Sequence, residues 1–152
     1  YTDGSCPENS KQKRQRESAG WGFIALEGCK CIDIQCGPVI LDSESPAYVG
    51  AEEFSNNTGE LTALLAAAMY ANTVRSEYDT ITLVYDSKYA SFSALGMYNA
   101  DKNRVLTHAV KRKISSLTSH LHIFLIQLRL VILHGKKINV DIIVFQIKKV
   151  IL

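Results

Sequence analysis

The chain has 152 residues, a length that suits one domain with its own hydrophobic core. A hydrophobic content of 47% with 21% charged residues excludes a disordered chain, and a formal net charge of +2 is too small to indicate nucleic-acid binding by itself. The apolar stretch over residues 121–133 is short and is interrupted by polar residues, which excludes a membrane span.

The beginning of the chain predicts a β-rich region. Tyr1 lies directly on a strand-like run, so we expect the first strand to be truncated. Residues 6–18 are polar and predict a loop. Residues 21–26 predict a strand, which residues 31–36 could join as a hairpin, and residues 37–40 predict the start of a third strand.

A helix is predicted after a connection over residues 42–57. From Gly59 onward, apolar residues recur at helical spacing, at Leu61, Leu64, Leu65, Ala68 and Met69. Thr58 is the predicted N-cap. Glu60 then falls in the first turn, where the helix dipole favours negative charge.

The next elements alternate between strand and helix. Residues 81–85 predict a strand, residues 87–95 a short helix, and residues 104–117 a helix with a basic face. Residues 120–133 are again strand-like. The resulting β-β-β-α-β-α-α order implies a mixed sheet with helices packed on it.

Three acidic residues occupy settings that suggest a shared metal site. Asp3 ends a strand-like run, Glu60 begins the predicted helix, and Asp86 ends the next strand. Burying a carboxylate unpaired is costly, and a cluster of carboxylates needs cations to offset its repulsion. Hard divalent ions such as Mg²⁺ prefer this all-oxygen environment, and two such ions about 4 Å apart can promote phosphodiester hydrolysis.

The segments TDGS, NNTGEL and YDSKY, in this order, resemble the type 1 ribonuclease H family over about residues 1–113. Residues 19–23 and 37–39 also look like the family's second and third strands. The resemblance implies an α/β fold in which a mixed β-sheet, with antiparallel hairpin strands plus parallel strands, is flanked by α-helices. We expect residues 1–152 to form this single domain.

The resemblance implies an endonuclease that cleaves the RNA strand of RNA–DNA hybrids with two Mg²⁺ ions, or Mn²⁺, leaving 5′-phosphate and 3′-hydroxyl ends. Asp3 would bridge both metals, while Glu60 and Asp86 would each bind one. Amide side chains suit contacts to base edges and sugars, because they both donate and accept hydrogen bonds. The expected nucleic-acid-binding residues are Gly4, Ser5, Asn56, Asn57, Ser87 and Lys88.

Basic and cysteine residues add further expectations. The runs at residues 11–16 and 111–113 predict surfaces that contact a nucleic-acid backbone. Three of the four cysteines, Cys29, Cys31 and Cys36, lie close together without zinc-site spacing. Reduced thiols in an intracellular protein of the nucleus or cytoplasm are therefore expected.

Residues after about 120 diverge from the family pattern. His134 is the candidate proton-transfer residue and Asp141 the candidate fourth metal ligand. The β-branched and lysine-rich residues that follow are poor material for the family's last helix. Two interpretations remain open: a divergent β-hairpin turning at residues 134–137, or an out-of-frame sequence. Lack of the fourth carboxylate would impair activity.

Other functional hypotheses remain beside the nuclease. One is a catalytically inactive module, or pseudogene fragment, that binds nucleic acid without cutting it. Another is a fragment with no stable fold. As a nuclease, the protein is expected to act away from membranes, either as a monomer or as a domain of a larger polypeptide such as a retroelement polyprotein.

Overall fold

The structure, a computed structural model, describes residues 1–6, 16–85, 87–98, 100–118, 122–127 and 144–149. Its strands are β1 (Thr2–Ser5), β2 (Gly20–Glu27), β3 (Lys30–Pro38), β4 (Tyr78–Tyr85), β5 (His122–Gln127) and β6 (Val144–Lys149). Its helices are α1 (Asn56–Val74), α2 (Lys88–Ala94) and α3 (Arg104–Thr118), with a 3-10 turn at Arg75–Glu77. Several predicted features lie outside the described residues: Lys11, Lys13 and Arg14 of the first basic run, Asp86, and the turn at residues 134–137.

The six strands form one mixed sheet, as predicted. On one side, β2 pairs antiparallel with β3 as a hairpin. On its other side, β2 pairs antiparallel with β1 and parallel with β6. Strand β4 is antiparallel to β6 and parallel to β5. These directions make β1 parallel to β4, so their carboxyl ends lie at the same edge of the sheet.

Helix α1 packs on β1, β2 and β4, and α3 packs beside α1. Ala63, Ala67 and Ala71 are buried along α1, and their small side chains allow the helix to lie close to the sheet. The buried residues of α3 recur at helical spacing, at Leu106, Val110, Ile114 and Leu117. Lys111 and Arg112 are exposed on the opposite side, which confirms the predicted basic face.

Two local predictions are wrong. Residues 37–40 do not begin a new strand, because β3 runs from Lys30 through Pro38 in register with β2. Helix α1 begins at Asn56, with Ser55 rather than Thr58 as its N-cap. The Ser55 hydroxyl accepts a hydrogen bond from the Thr58 amide at 3.1 Å, which satisfies one of the donors exposed at the helix start. Glu60 consequently lies beyond the first turn.

Candidate active site

Strand β1 and helix α1 make a backbone contact that only glycines allow. A Cβ atom on Gly4 would overlap the Glu60 nitrogen and the Gly59 carbonyl carbon. A Cβ atom on Gly59 would lie 2.5 Å from the Gly20 oxygen and 2.9 Å from the Gly4 Cα. Asp3 precedes this contact on β1 and Glu60 follows it on α1, so the two acidic residues lie on directly touching backbone segments.

Asp3 lines a shallow groove of about 400 Å³ on the sheet surface. Side chains alternate along a strand, so Asp3 points away from the face on which Gly4 meets α1. Gly22 lies opposite Asp3 in the ladder, and Gly20 lies opposite Ser5. These glycines leave the strand backbone uncovered, and a flat substrate surface can therefore approach the Asp3 carboxylate.

Glu60 occupies a different environment from Asp3. Its side chain is only 8% exposed, and it lies on the part of α1 that touches β1. A carboxylate this deeply buried is stable only when its charge is compensated. A cation at this position is one such form of compensation.

The third predicted acid, Asp86, lies outside the described residues. It follows Tyr85, the last residue of β4, and β4 contacts β1. Because β1 and β4 run parallel, the chain leaves β4 at the edge of the sheet where β1 ends. The predicted convergence of Asp3, Glu60 and Asp86 stays a prediction.

His134 and Asp141 also lie outside the described residues. Within the described part of the chain, no group of three or more His, Cys, Asp or Glu residues could hold a metal ion. The described donors of the expected site are the carboxylates of Asp3 and Glu60. Their oxygen chemistry fits a hard divalent ion such as Mg²⁺.

The start of α1 is held by a buried hydrogen-bond network that no sequence pattern predicted. The Asn103 side chain donates to the Thr58 hydroxyl at 3.1 Å and accepts from the Glu52 amide at 2.9 Å. Asn103 is 1% exposed and adopts a left-handed backbone with φ of 54°. An asparagine just before the predicted helix at Arg104 was the available sequence signal, because asparagine is enriched in this conformation.

The Glu52 carboxylate completes this network by accepting from the Arg104 amide at 2.9 Å. The connection from β3, the start of α1 and the start of α3 are therefore tied together. Since Asn56, Asn57 and Glu60 all belong to the first residues of α1, this network fixes the part of the helix that carries the expected site.

The predicted nucleic-acid-binding residues fall into two groups. Ser5, Asn57 and Lys88 are exposed. The other residues have structural contacts: the Asn56 side chain accepts from the Cys6 amide at 2.6 Å, the Ser87 hydroxyl caps α2 by accepting from the Ala90 amide at 3.2 Å, and Gly4 packs against α1. Asn56 nevertheless remains largely solvent-accessible beside Asn57.

A larger cavity, of about 810 Å³, is lined by neither Asp3 nor Glu60. Its lining is mostly apolar and includes Trp21, Ile40 and Met69. Lys113 is the one charged residue among the described residues that line it. This cavity lacks the acidic chemistry of the groove beside Asp3, so the smaller groove is the candidate site.

No helix in the described part of the chain is both long and apolar enough to cross a membrane. The chain is similar in structure to RNase H1 from the halophilic archaeon Halobacterium salinarum NRC-1, with 18% identity and a TM-score of 0.54 over 84% of this chain and 83% of that one. It is also similar to LC11-RNase H1, isolated from compost by a metagenomic approach, with 17% identity and a TM-score of 0.54 over 84% and 81% of the two chains.

A third similar structure is the N-terminal RNase H domain of a Mycobacterium tuberculosis protein, with 16% identity and a TM-score of 0.53 over 83% of this chain and 78% of that one. These structural similarities show the RNase H fold. A search of curated proteins finds no match. The sequence model of the RNase H family matches residues 1–134, and the chain therefore belongs to the RNase H family.

Proposed function

We propose that the protein is a metal-dependent endonuclease that cleaves the RNA strand of RNA–DNA hybrids. Its family and fold support a nucleic-acid-related function of the ribonuclease H type. The observation that carries the proposal is the backbone contact at Gly4 and Gly59, which brings the segments bearing Asp3 and Glu60 together.

In this proposal, the carboxylates of Asp3, Glu60 and Asp86 hold two Mg²⁺ ions, with Mn²⁺ as a substitute. Bound divalent ions supply activation of water and stabilisation of charge on the phosphate. Asp3 presents its carboxylate at the open groove, and the buried position of Glu60 keeps its side chain in a fixed place. His134 is the proposed proton-transfer residue and Asp141 the proposed fourth ligand.

Recognition of the hybrid is assigned to residues around this groove. Asn56 and Asn57 offer amide groups beside the start of α1, where they can contact base edges and sugars. The RNA 2′-hydroxyl distinguishes the hybrid from double-stranded DNA. Lys111 and Arg112 are exposed on α3 and supply positive charge for the phosphate backbone, which strengthens binding to every duplex.

The test is cleavage of a hybrid with an end-labelled RNA strand, in Mg²⁺, Mn²⁺ or EDTA, with double-stranded DNA as the matched duplex. We expect metal-dependent cutting of the RNA strand alone, with 5′-phosphate and 3′-hydroxyl products.

Asp3→Asn and Glu60→Gln remove charge with little change of shape and should each reduce cleavage by at least about 100-fold. Glu44→Gln, which alters an exposed carboxylate in the β3–α1 connection, is the matched control and should cut normally.

Cleavage that is equal in the Asp3→Asn variant and the original chain would refute the assigned site. Equal affinity for hybrid and double-stranded DNA at matched salt would count against hybrid recognition.

A second candidate function is binding of the hybrid without cleavage. The observation that favours it is the position of Asp141, the only acidic residue after Asp101, beyond the residues 1–134 that match the family. Ligand number and charge set the affinity of a hard-cation site, so loss of the fourth carboxylate would weaken metal binding. We therefore expect slow turnover from this chain, and hybrid binding with no cleavage in either metal would establish the second candidate.

A further inference from the structure

The cavity of about 810 Å³ is formed by several parts of the fold. The β2–β3 hairpin contributes Trp21 and Pro38, the connection after β3 contributes Val49, α1 contributes Met69, and α3 contributes Lys113. Concave sites of roughly 300–1,000 Å³ with mostly apolar walls are typical of small-molecule binding. The size and lining of this cavity therefore suit a small organic ligand.

The cavity leaves one face of α1 uncovered. Thr62, Ala66, Met69 and Thr73 line it, and their spacing of three and four residues places them on the same side of the helix. The alanines that pack towards the sheet lie on a different face of α1. Met69 is 51% exposed. An apolar ligand would remove this side chain from water, which favours binding.

Several polar groups in the cavity lining already have partners within the protein. The Trp21 indole donates to a backbone carbonyl at 3.1 Å, and the hydroxyls of Thr62 and Thr73 donate to backbone carbonyls at 2.8 and 2.7 Å. The indole ring also lies against Gly37, where an added Cβ atom would be 3.2 to 3.3 Å from it. These contacts hold Trp21 as a fixed wall, and the groups named require no hydrogen bond from a ligand.

The charge at the cavity is positive. Lys113 is half-buried, whereas Lys111 and Arg112 on the same helix are exposed. Lys113 makes no ion pair with the residues that the structure describes. An adjoining cavity of about 370 Å³ shares Lys113 and Met69 with the larger one and is also lined by Arg112. None of the described residues lining either cavity is acidic, so the charge complements an anion.

We propose that this cavity binds an amphiphilic anion, a long-chain carboxylate, as a site separate from the groove beside Asp3. The apolar chain of the ligand packs between Trp21 and Met69, and its carboxylate pairs with the Lys113 ammonium. A neutral apolar molecule would leave this cation unpaired, and a small anion would leave the apolar walls in water. The inference does not depend on the proposed nuclease activity.

The test is a titration of the full chain with dodecanoate, below its critical micelle concentration, followed by NMR of the methionine methyl groups. The chain has two methionines, so Met97 serves as an internal control for Met69. Met97 is 67% exposed and does not line the cavity. We expect the Met69 signal to shift saturably while the Met97 signal stays in place. Fluorescence of Trp21, the single tryptophan, should change with the same midpoint.

Two further probes separate the two parts of the ligand. Dodecanol has a similar apolar chain without a charge and should bind at least about fivefold more weakly than dodecanoate, because it cannot form the ion pair with Lys113. Acetate has the charge without the chain and should leave the Met69 signal unchanged. Acetate that shifts Met69 as strongly as dodecanoate would overturn the proposal, since the apolar walls would then contribute nothing.

A charge variant tests the role of Lys113. Lys113→Gln should weaken dodecanoate binding at least about fivefold and leave dodecanol binding unchanged. Lys30→Gln is the matched control, because it removes the same charge from an exposed residue that does not line the cavity. Equal dodecanoate affinity in the two variants would refute the assignment of Lys113.

A bulk variant tests the cavity itself. Ala66→Phe adds a ring to the cavity wall and should weaken dodecanoate binding at least about tenfold. Ile34→Phe adds an aromatic ring at a residue that is 62% exposed and outside the lining, and it should bind normally. If Ala66→Phe does not fold, the original chain decides: equal shifts of Met69 and Met97, or no saturable shift of Met69, refute the site.

Discussion

At the scale of single residues, the distance between β1 and α1 is set by two facing glycines. Gly59→Ala would place a methyl carbon 2.5 Å from the Gly20 oxygen, and backbone atoms cannot move aside as a flexible side chain can. We expect a loss of about 1–3 kcal/mol in unfolding free energy, or roughly 3–10 °C in melting temperature. Thermal denaturation followed by circular dichroism measures this change.

Gly20→Ala is the control for that substitution. A methyl carbon on Gly20 would meet its nearest atom, the Gly37 oxygen, at 3.6 Å, which is an ordinary contact. Its melting temperature should stay close to that of the original chain. Equal melting temperatures for the two variants would show that the approach of β1 to α1 is looser than the structure indicates.

A second residue-scale prediction concerns Asn103. Asn103→Ala removes the hydrogen bonds to Thr58 and Glu52 and also places alanine in a left-handed backbone conformation. Asn103→Gly removes the same hydrogen bonds but tolerates that conformation. We expect both variants to be destabilised by about 2–4 kcal/mol, with the alanine variant about 1 kcal/mol less stable than the glycine variant.

Urea denaturation of the three proteins separates the two effects of Asn103. The difference between alanine and glycine reports the backbone conformation, and the difference between glycine and asparagine reports the hydrogen bonds. A glycine variant as stable as the original chain would mean that the network at the start of α1 contributes nothing to stability.

At the scale of secondary structure, the sequence patterns predicted most elements because each depends on its own residues. The strand predicted over residues 21–26 matches β2 within a residue at each end, and the helix predicted over residues 104–117 matches α3 from its first residue. The errors arose where contacts with other residues determine where an element begins or ends. The end of β3 depends on its register with β2, and the N-cap of α1 depends on which hydroxyl reaches the Thr58 amide.

The candidate site was predictable to a similar extent. The positions of Asp3 and Glu60 followed from short segments of sequence, and the structure brings those segments into contact. The role of Asn103 did not follow, since its partners are about fifty residues away along the chain. Pairing of β6 inside the sheet was also unpredictable, because strand order depends on long-range register that local propensity does not encode.

At the scale of the whole molecule, one side of β2 pairs with two chain segments, with β1 along its first half and with β6 along its second half. The chain has the RNase H fold, with TM-scores of 0.53 to 0.54 at identities of 16% to 18%, although two segments pair with this side of β2. The amino group of Tyr1 lies against β2, where it donates a hydrogen bond to the Ile24 carbonyl at 2.9 Å.

This contact predicts a pH-dependent stability for the 152-residue chain. Burial lowers the pKa of the Tyr1 amino group from 8.0 to about 4. Between these values the unfolded chain binds a proton that the folded chain does not, so the free energy of unfolding should rise with pH from about 4 to 8 and level off above 8. Between pH 6 and 8 we expect an increase of about 2–3 kcal/mol, measured by urea denaturation at each pH. The N-acetylated chain keeps an N–H donor for Ile24 but has no ionisable amine, so its increase should be smaller by that amount. An identical pH dependence in both chains would show that the Tyr1 amine is solvated, and that it does not lie against Ile24 as the hydrogen bond indicates.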